Sequence, residues 1–142
     1  MKNMLALLNN KSAQIHSVGS NETVLDAIKL MAEKHIGSVL VMDNGQLVGI
    51  ATERDYARKV ILLGRNSNET PVSSIMSYPV MTVLPTDTVS HCMTLMNTHK
   101  IRHLPVLDNN QIIGLISIGD LVKAVIEQQQ LEINQLQNYI AG

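Results

Sequence analysis

Two stretches of the 142-residue sequence place a hydroxyl three residues ahead of a carboxylate: Thr52 and Asp55 in GIATERD, Ser117 and Asp120 in GLISIGD. Each follows an apolar, strand-like run and opens a helix-like one, so each falls at a helix N-terminus. That spacing supports two chemistries. One is a capping box, in which the hydroxyl accepts from the third helical amide and the carboxylate returns to the amide of the cap. The other is ligand recognition. A carboxylate at that place can accept both hydroxyls of a ribose, and the partial positive charge and free N–H groups of a helix start suit a phosphate. The glycine ahead of each hydroxyl, Gly49 or Gly114, lets another group approach the strand closely.

Little else in the sequence competes for a chemical role. His16, His35, His91, His99 and His103 are scattered, without metal-ligand spacing. There is no G-x-S-x-G, Walker loop or G-x-G-x-x-G, and no pair of carboxylates set apart for acid–base work. The sequence gives no reason to expect an enzyme, a required cofactor or a metal site.

Composition narrows the class further. Hydrophobic residues make up 45% of the chain, enough for a real core, yet it has no Trp, no Phe and only three Tyr. The core is therefore expected to be aliphatic, and base-stacking capture of single-stranded nucleic acid is disfavoured. A net charge of -1 gives no basic field for DNA. The single cysteine, Cys92, excludes an internal disulfide, fits a reducing compartment and falls on an apolar stripe, which predicts an inert buried thiol. No apolar run approaches the roughly 20 residues that cross a bilayer, and the five-residue apolar stretch in the start MKNMLALLNN is too short for a signal-peptide core. The expectation is a cytoplasmic protein without membrane or nucleic-acid partners.

The elements that must hold the two hydroxyl–carboxylate pairs occur twice. Sliding the chain by 65 residues lays VGSNETVLDAIKLMAEKHIGSVLVMDNGQLVGIATERD over VLPTDTVSHCMTLMNTHKIRHLPVLDNNQIIGLISIGD without a gap, with 12 of 38 positions identical. Each copy begins with an extended stretch, QIHSV or PVMTV. Thr23 and Thr88 then read as N-caps of helices whose apolar residues recur at helical spacing. Two β-rich runs follow around DNGQ or DNNQ, the turn residues of a hairpin. A second helix closes each copy, giving β-α-β-β-α twice. The expected fold is α/β (α+β), with the two repeats packed sheet to sheet about a pseudo-twofold axis. Its expected boundaries are 9–63 for the first repeat, 64–76 for a polar linker, 77–127 for the second repeat and 128–142 for a helical extension.

Taken together, GIATERD and GLISIGD after strand–turn–strand units, with IRHLPV before the second hairpin, resemble a tandem pair of CBS (cystathionine-β-synthase) domains. The resemblance covers roughly residues 9 to 127. It implies a non-catalytic regulatory module that binds adenosine-containing ligands in two clefts between the repeats and signals to a partner protein. AMP ranks first among the implied ligands, with ADP, ATP, NAD or S-adenosylmethionine as others. It also implies two ligand sets. Site A takes Thr52, Arg54 and Asp55, with Val80 and Met81 beside adenine and Arg102 and His103 near phosphate. Site B takes Ser117 and Asp120 with Lys11, Ser12, Ile15, His16, Gly37 and Ser38. IGSVLV stands in the first repeat where IRHLPV stands in the second, so site B has fewer phosphate donors. The alternative is a structural dimerisation adaptor whose clefts are empty or vestigial.

Residues 121–140 continue helically, and Val122, Ile126, Ile133, Leu136 and Ile140 fall on one seam. A fold-back onto the same domain and a partner helix both fit that seam. The resemblance implies a homodimer, to which MLALL near the chain start could add.

Overall fold

The computed structural model describes residues 2–10 and 15–142. Lys11 and Ser12 lie outside the described residues. The chain divides into two compact units. One is Ile15–Val80; the other joins the segment before it to Met81–Gly142. Helices and two small sheets make the fold α+β.

In the first unit the sheet order is β1-β2-β3. Strand β1 (Ser17–Val18) runs parallel to β2 (Ser38–Asp43), which pairs antiparallel with β3 (Gln46–Thr52). Between β1 and β2 lies α2 (Val24–Lys34), started by the Thr23 hydroxyl, which accepts from Asp26 N–H at 3.2 Å. The helix ends at His35, whose φ of 56° turns the chain left-handed. The hairpin turn places Asn44 and Gly45 at φ 51° and 75°, the left-handed pair that a two-residue hairpin requires. Val24, Ala27 and Met31 of α2 pack with Val18, Val39, Val41, Ala51, Val60, Val72 and Ile75 in an aliphatic core. A four-residue helix, α3 (Glu53–Tyr56), follows β3 and widens into a π turn over Ala57–Ile61, where Leu62 N–H reaches Ala57 O at 3.0 Å.

The polar connector packs onto this unit. Thr70 is 3% exposed, and its carbonyl accepts from Val24 N–H at 2.8 Å. Val72 and Ile75 are buried around a short 3-10 turn, Val72–Ser74. Ser77 exchanges backbone hydrogen bonds with Ile50 at 2.9 and 3.2 Å, extending the sheet edge.

The second unit repeats the plan. Thr88 caps α4 (Val89–His99), its hydroxyl accepting from His91 N–H at 3.1 Å, and Lys100 ends it at φ 56°. Strands β4 (His103–Asp108) and β5 (Gln111–Ser117) form a hairpin through Asn109 and Asn110, both left-handed. Of the extended PVMTV stretch, Val83 alone makes a parallel bridge, to Val106. The last helix, α5 (Ile118–Ala141), is continuous where the first repeat has a π turn.

The MLALL segment departs from the expectation of a self-association surface. It lies in α1 (Met4–Asn9), and Met4, Leu7 and Leu8 are buried in the same core as Val89, Cys92, Leu104 and Ile116. Leu5 remains 46% exposed. Backbone hydrogen bonds fix the placement: Met4 N–H to Asp87 O and Leu5 N–H to Pro85 O, both at 3.0 Å. The group that approaches Gly114 is therefore Leu8, and the group that approaches Gly49 is Met76. A methyl at Gly114 would overlap the Leu8 side chain, with Leu8 Cγ only 3.2 Å away.

Gly114→Ala should lower stability by about 1–3 kcal/mol, the usual cost of overpacking. Combined with Leu8→Ala, it should cost clearly less than the sum of the two single changes in denaturant unfolding; strict additivity would mean the two sites do not touch. Cys92 is fully buried, and burial first, then the nearby Asp87 charge, raises its thiol from 9.0 to about 11. The folded pKa lies above the unfolded one. The stability that this thiol contributes is thus fully present below pH 9.0 and lost as pH rises through about 11. Cys92→Ala should lack that part of the alkaline fall, and the native thiol should resist a thiol reagent until the chain unfolds.

Candidate functional site

The end of β3 turns into α3 at Thr52, whose extended backbone (φ -124°, ψ 164°) makes it the cap. Hydrogen bonds run both ways between Thr52 and Asp55. Asp55 N–H donates to Thr52 Oγ1 at 3.1 Å, while Thr52 N–H and Oγ1–H donate to Asp55 Oδ2 at 2.9 and 3.0 Å. The same box stands at the end of β5. Ser117 N–H donates to Asp120 Oδ2 at 2.8 Å, and Asp120 N–H to Ser117 Oγ at 3.2 Å. The first helical amide also has a matching partner in each unit: Glu53 N–H to Gly37 O at 3.1 Å, and Ile118 N–H to Arg102 O at 2.9 Å. Three amides at each helix start, those of the cap and of the first and third helical residues, are thus already engaged, which leaves less of the backbone to bind a phosphate.

The remaining candidates of the first unit fall at different places, some beside this junction and Val80 toward the start of β3. Ser38, 2% exposed, pairs in register with Thr52, and Gly37 precedes it; a methyl at Gly37 would meet Glu53 Oε1 at 3.2 Å. Arg54 is exposed. Ile15 is 40% exposed, and His16 is half-buried with its carbonyl accepting from Leu40 N–H at 3.2 Å. Val80 lines an open apolar recess of about 580 Å³ with Leu47, Val48, Met76, Tyr78 and Pro79.

In the second unit His103 pairs in register with Ser117, Arg102 is exposed and Met81 is partly buried against the core. The structure therefore sets Ser38 beside Thr52 and His103 beside Ser117, neighbours that the resemblance distributes between different ligand sets.

One functional-looking group was not singled out from sequence. Lys59 Nζ lies 3.5 Å from Asp55 Oδ1 and donates to Ile75 O at 2.9 Å. Its spacing from Asp55, four residues along a helix, is the ion-pair spacing that could have flagged it. The recess walls Leu47, Met76 and Tyr78 were also unflagged, because strand β3 and the connector meet only in the folded chain. Among the described residues no cluster of three or more His, Cys, Asp or Glu side chains could hold a metal ion. No helix of the described residues is long and apolar enough to cross a membrane.

Comparison with known proteins places this architecture. The CBS-domain family profile matches residues 11–62 and 72–127. A mitochondrial CBS domain-containing protein of Arabidopsis thaliana, CBSX3, is 41% identical over 128 residues, covering 87% of this chain. The chain spans 62% of that relative's length. The structure of a protein with CBS domains from Burkholderia ambifaria MC40-6 superposes with a TM-score of 0.87 at 51% identity, covering 90% of this chain and 96% of that one. The CBS domain pair of MJ0100, solved with 5′-methylthioadenosine and S-adenosyl-L-methionine, shares the fold at a TM-score of 0.78 and 23% identity, covering 90% of this chain and 98% of its own. Two matching repeats, each closed by the same hydroxyl–carboxylate box at a strand–helix junction, make this chain a member of the CBS-domain family.

Proposed function

We propose that the chain is a regulatory module that binds adenine nucleotides without turning them over and passes their occupancy to a protein partner. The observation that carries this reading is the repeated box, Thr52–Asp55 and Ser117–Asp120, with its carboxylates at the surface end of a sheet. Asp55 is the proposed acceptor for the ribose hydroxyls of one ligand, and Asp120 for those of another. Capping does not exclude this role, since each carboxylate keeps lone pairs beyond those that the cap amides use. Val80 and Met81 are the proposed apolar support for adenine. Arg54, Arg102 and His103 are the proposed phosphate donors, a role that suits their side chains now that the helix amides are engaged. Gly119 stands where the first repeat has Arg54, so the Asp120 ligand is expected to depend less on phosphate. The adenosine compounds bound by MJ0100 support the ligand class, and AMP is the form proposed here, in a cytoplasmic setting.

The signalling half of the proposal rests on α5. Val122, Ile126, Ile133, Leu136 and Ile140 are 41–79% exposed along one seam, an apolar stripe that a second copy of the chain could cover to form a homodimer. A coupling of about 1–3 kcal/mol between ligand and partner surfaces is enough for regulation.

Calorimetry with purified protein tests the ligand. AMP should bind about tenfold or more tighter than GMP, because a mismatched buried polar group on the base costs about 1–3 kcal/mol. Asp55→Asn should remove the tighter event and leave Asp120-dependent binding in place. Absence of binding by AMP, ADP, ATP and NAD at millimolar concentration would leave the adaptor reading, in which the chain dimerises with empty clefts. Sedimentation tests the seam: removing residues 129–142 should weaken self-association, and an unchanged dimer would place the interface elsewhere.

A further inference from the structure

We propose that Lys59 is a positioning residue of the Asp55 site, fixing the carboxylate in the orientation that accepts a vicinal diol. The inference rests on the reading of Asp55 as the ribose acceptor. An exposed lysine four residues from an aspartate would ordinarily be a weak, mobile pair. Lys59 is itself 43% exposed along its side chain, but it has a second attachment. Its ammonium donates to Ile75 O at 2.9 Å, and Ile75 itself is 1% exposed, so the far end of the side chain is tied to an immobile point. Arg65 reinforces the same attachment, reaching Lys59 O at 3.5 Å and Ser74 Oγ at 3.2 Å. From this anchored position Lys59 Nζ lies 3.5 Å from Asp55 Oδ1, while Thr52 holds Oδ2 with two donors. Each oxygen thus has its own partner, and the Asp55 side chain is only 15% exposed.

The arrangement belongs to the first repeat. At the repeat offset of 65, Lys59 corresponds to Ala124, which is 7% exposed in the core of a continuous α-helix. Lys59 instead stands in the π turn Ala57–Ile61, a helix irregularity often found at functional sites. The same anchor links the carboxylate to the chain that continues through Met76 and Tyr78 to Val80, the lining of the apolar recess. Lys59 therefore joins the proposed sugar contact to the segment that carries the proposed base contact.

The test compares AMP with 2′,3′-dideoxy-AMP, which keeps base and phosphate but lacks both hydroxyls, on wild type and on Lys59→Gln, Lys59→Met and Lys59→Arg. Affinities come from calorimetry, and folding is checked by melting. Wild type should prefer AMP. Lys59→Gln and Lys59→Met should lose about fivefold or more in AMP affinity, with little change for the dideoxy ligand, and Lys59→Arg should restore most of the preference. An equal loss on both ligands would show that Lys59 acts through general charge or stability, and would overturn the proposal while leaving Asp55 as the acceptor. So would unchanged AMP affinity in both neutral variants, or failure of both to fold. A wild type that binds the two ligands equally would remove the ribose role of Asp55, and the Lys59 inference with it.

Discussion

Hydrogen bonds crossing between residues i and i+3 hold the point where each sheet hands over to a helix. Thr52 and Asp55 exchange them in one repeat, Ser117 and Asp120 in the other. Much of the local architecture is set by that exchange. It ends the strand at a fixed residue and sets the direction in which the helix leaves. It also turns a carboxylate toward the end of the sheet rather than into solvent at large. An uncapped start would expose amides that have no helical partner, at a cost of typically about 1 kcal/mol per lost cap. The boxes recur with the same atoms and similar distances despite different neighbours, which marks them as part of the unit that was duplicated.

Local rules made much of this legible before any coordinates. Thr23 and Thr88 were readable as caps because a hydroxyl before an apolar periodic run has few other uses. DNG and DNN were readable as hairpin turns because left-handed backbone favours Asn and Gly. Long-range contacts were not legible in the same way. Gly49 and Gly114 pointed to a close neighbour, but nothing in the local sequence identified it as Met76 or Leu8. The connector reads as a linker because it is polar and carries a proline, yet Thr70, Val72 and Ile75 are buried. Lys59 had visible spacing from Asp55, but its anchor, Ile75 O, is supplied by that same connector.

The two repeats have diverged in how their closing helices are built. The first is short, widens into a π turn and carries a cation that touches both the box and the connector. The second runs unbroken for 24 residues and places an alanine at the matching position. Duplication thus supplied two similar carboxylates, and later change gave them different surroundings. On the proposed reading, two unequal sites would respond over a wider range of ligand concentration than two equal ones, because each would fill near its own dissociation constant.

The docking of α1 against the second unit has a consequence for how the protein is made. Ile15–Val80 is continuous in sequence and can close its core while later residues are still being synthesised. Met4, Leu7 and Leu8 emerge from the ribosome before Ile15–Val80, but their partners in β4, β5 and α5 follow about 100 residues later. At a synthesis rate of about 5–20 residues per second, these apolar side chains wait several seconds without their native contacts. The α1 segment, although made before Ile15–Val80, is thus buried after it, and during that interval it is open to a chaperone.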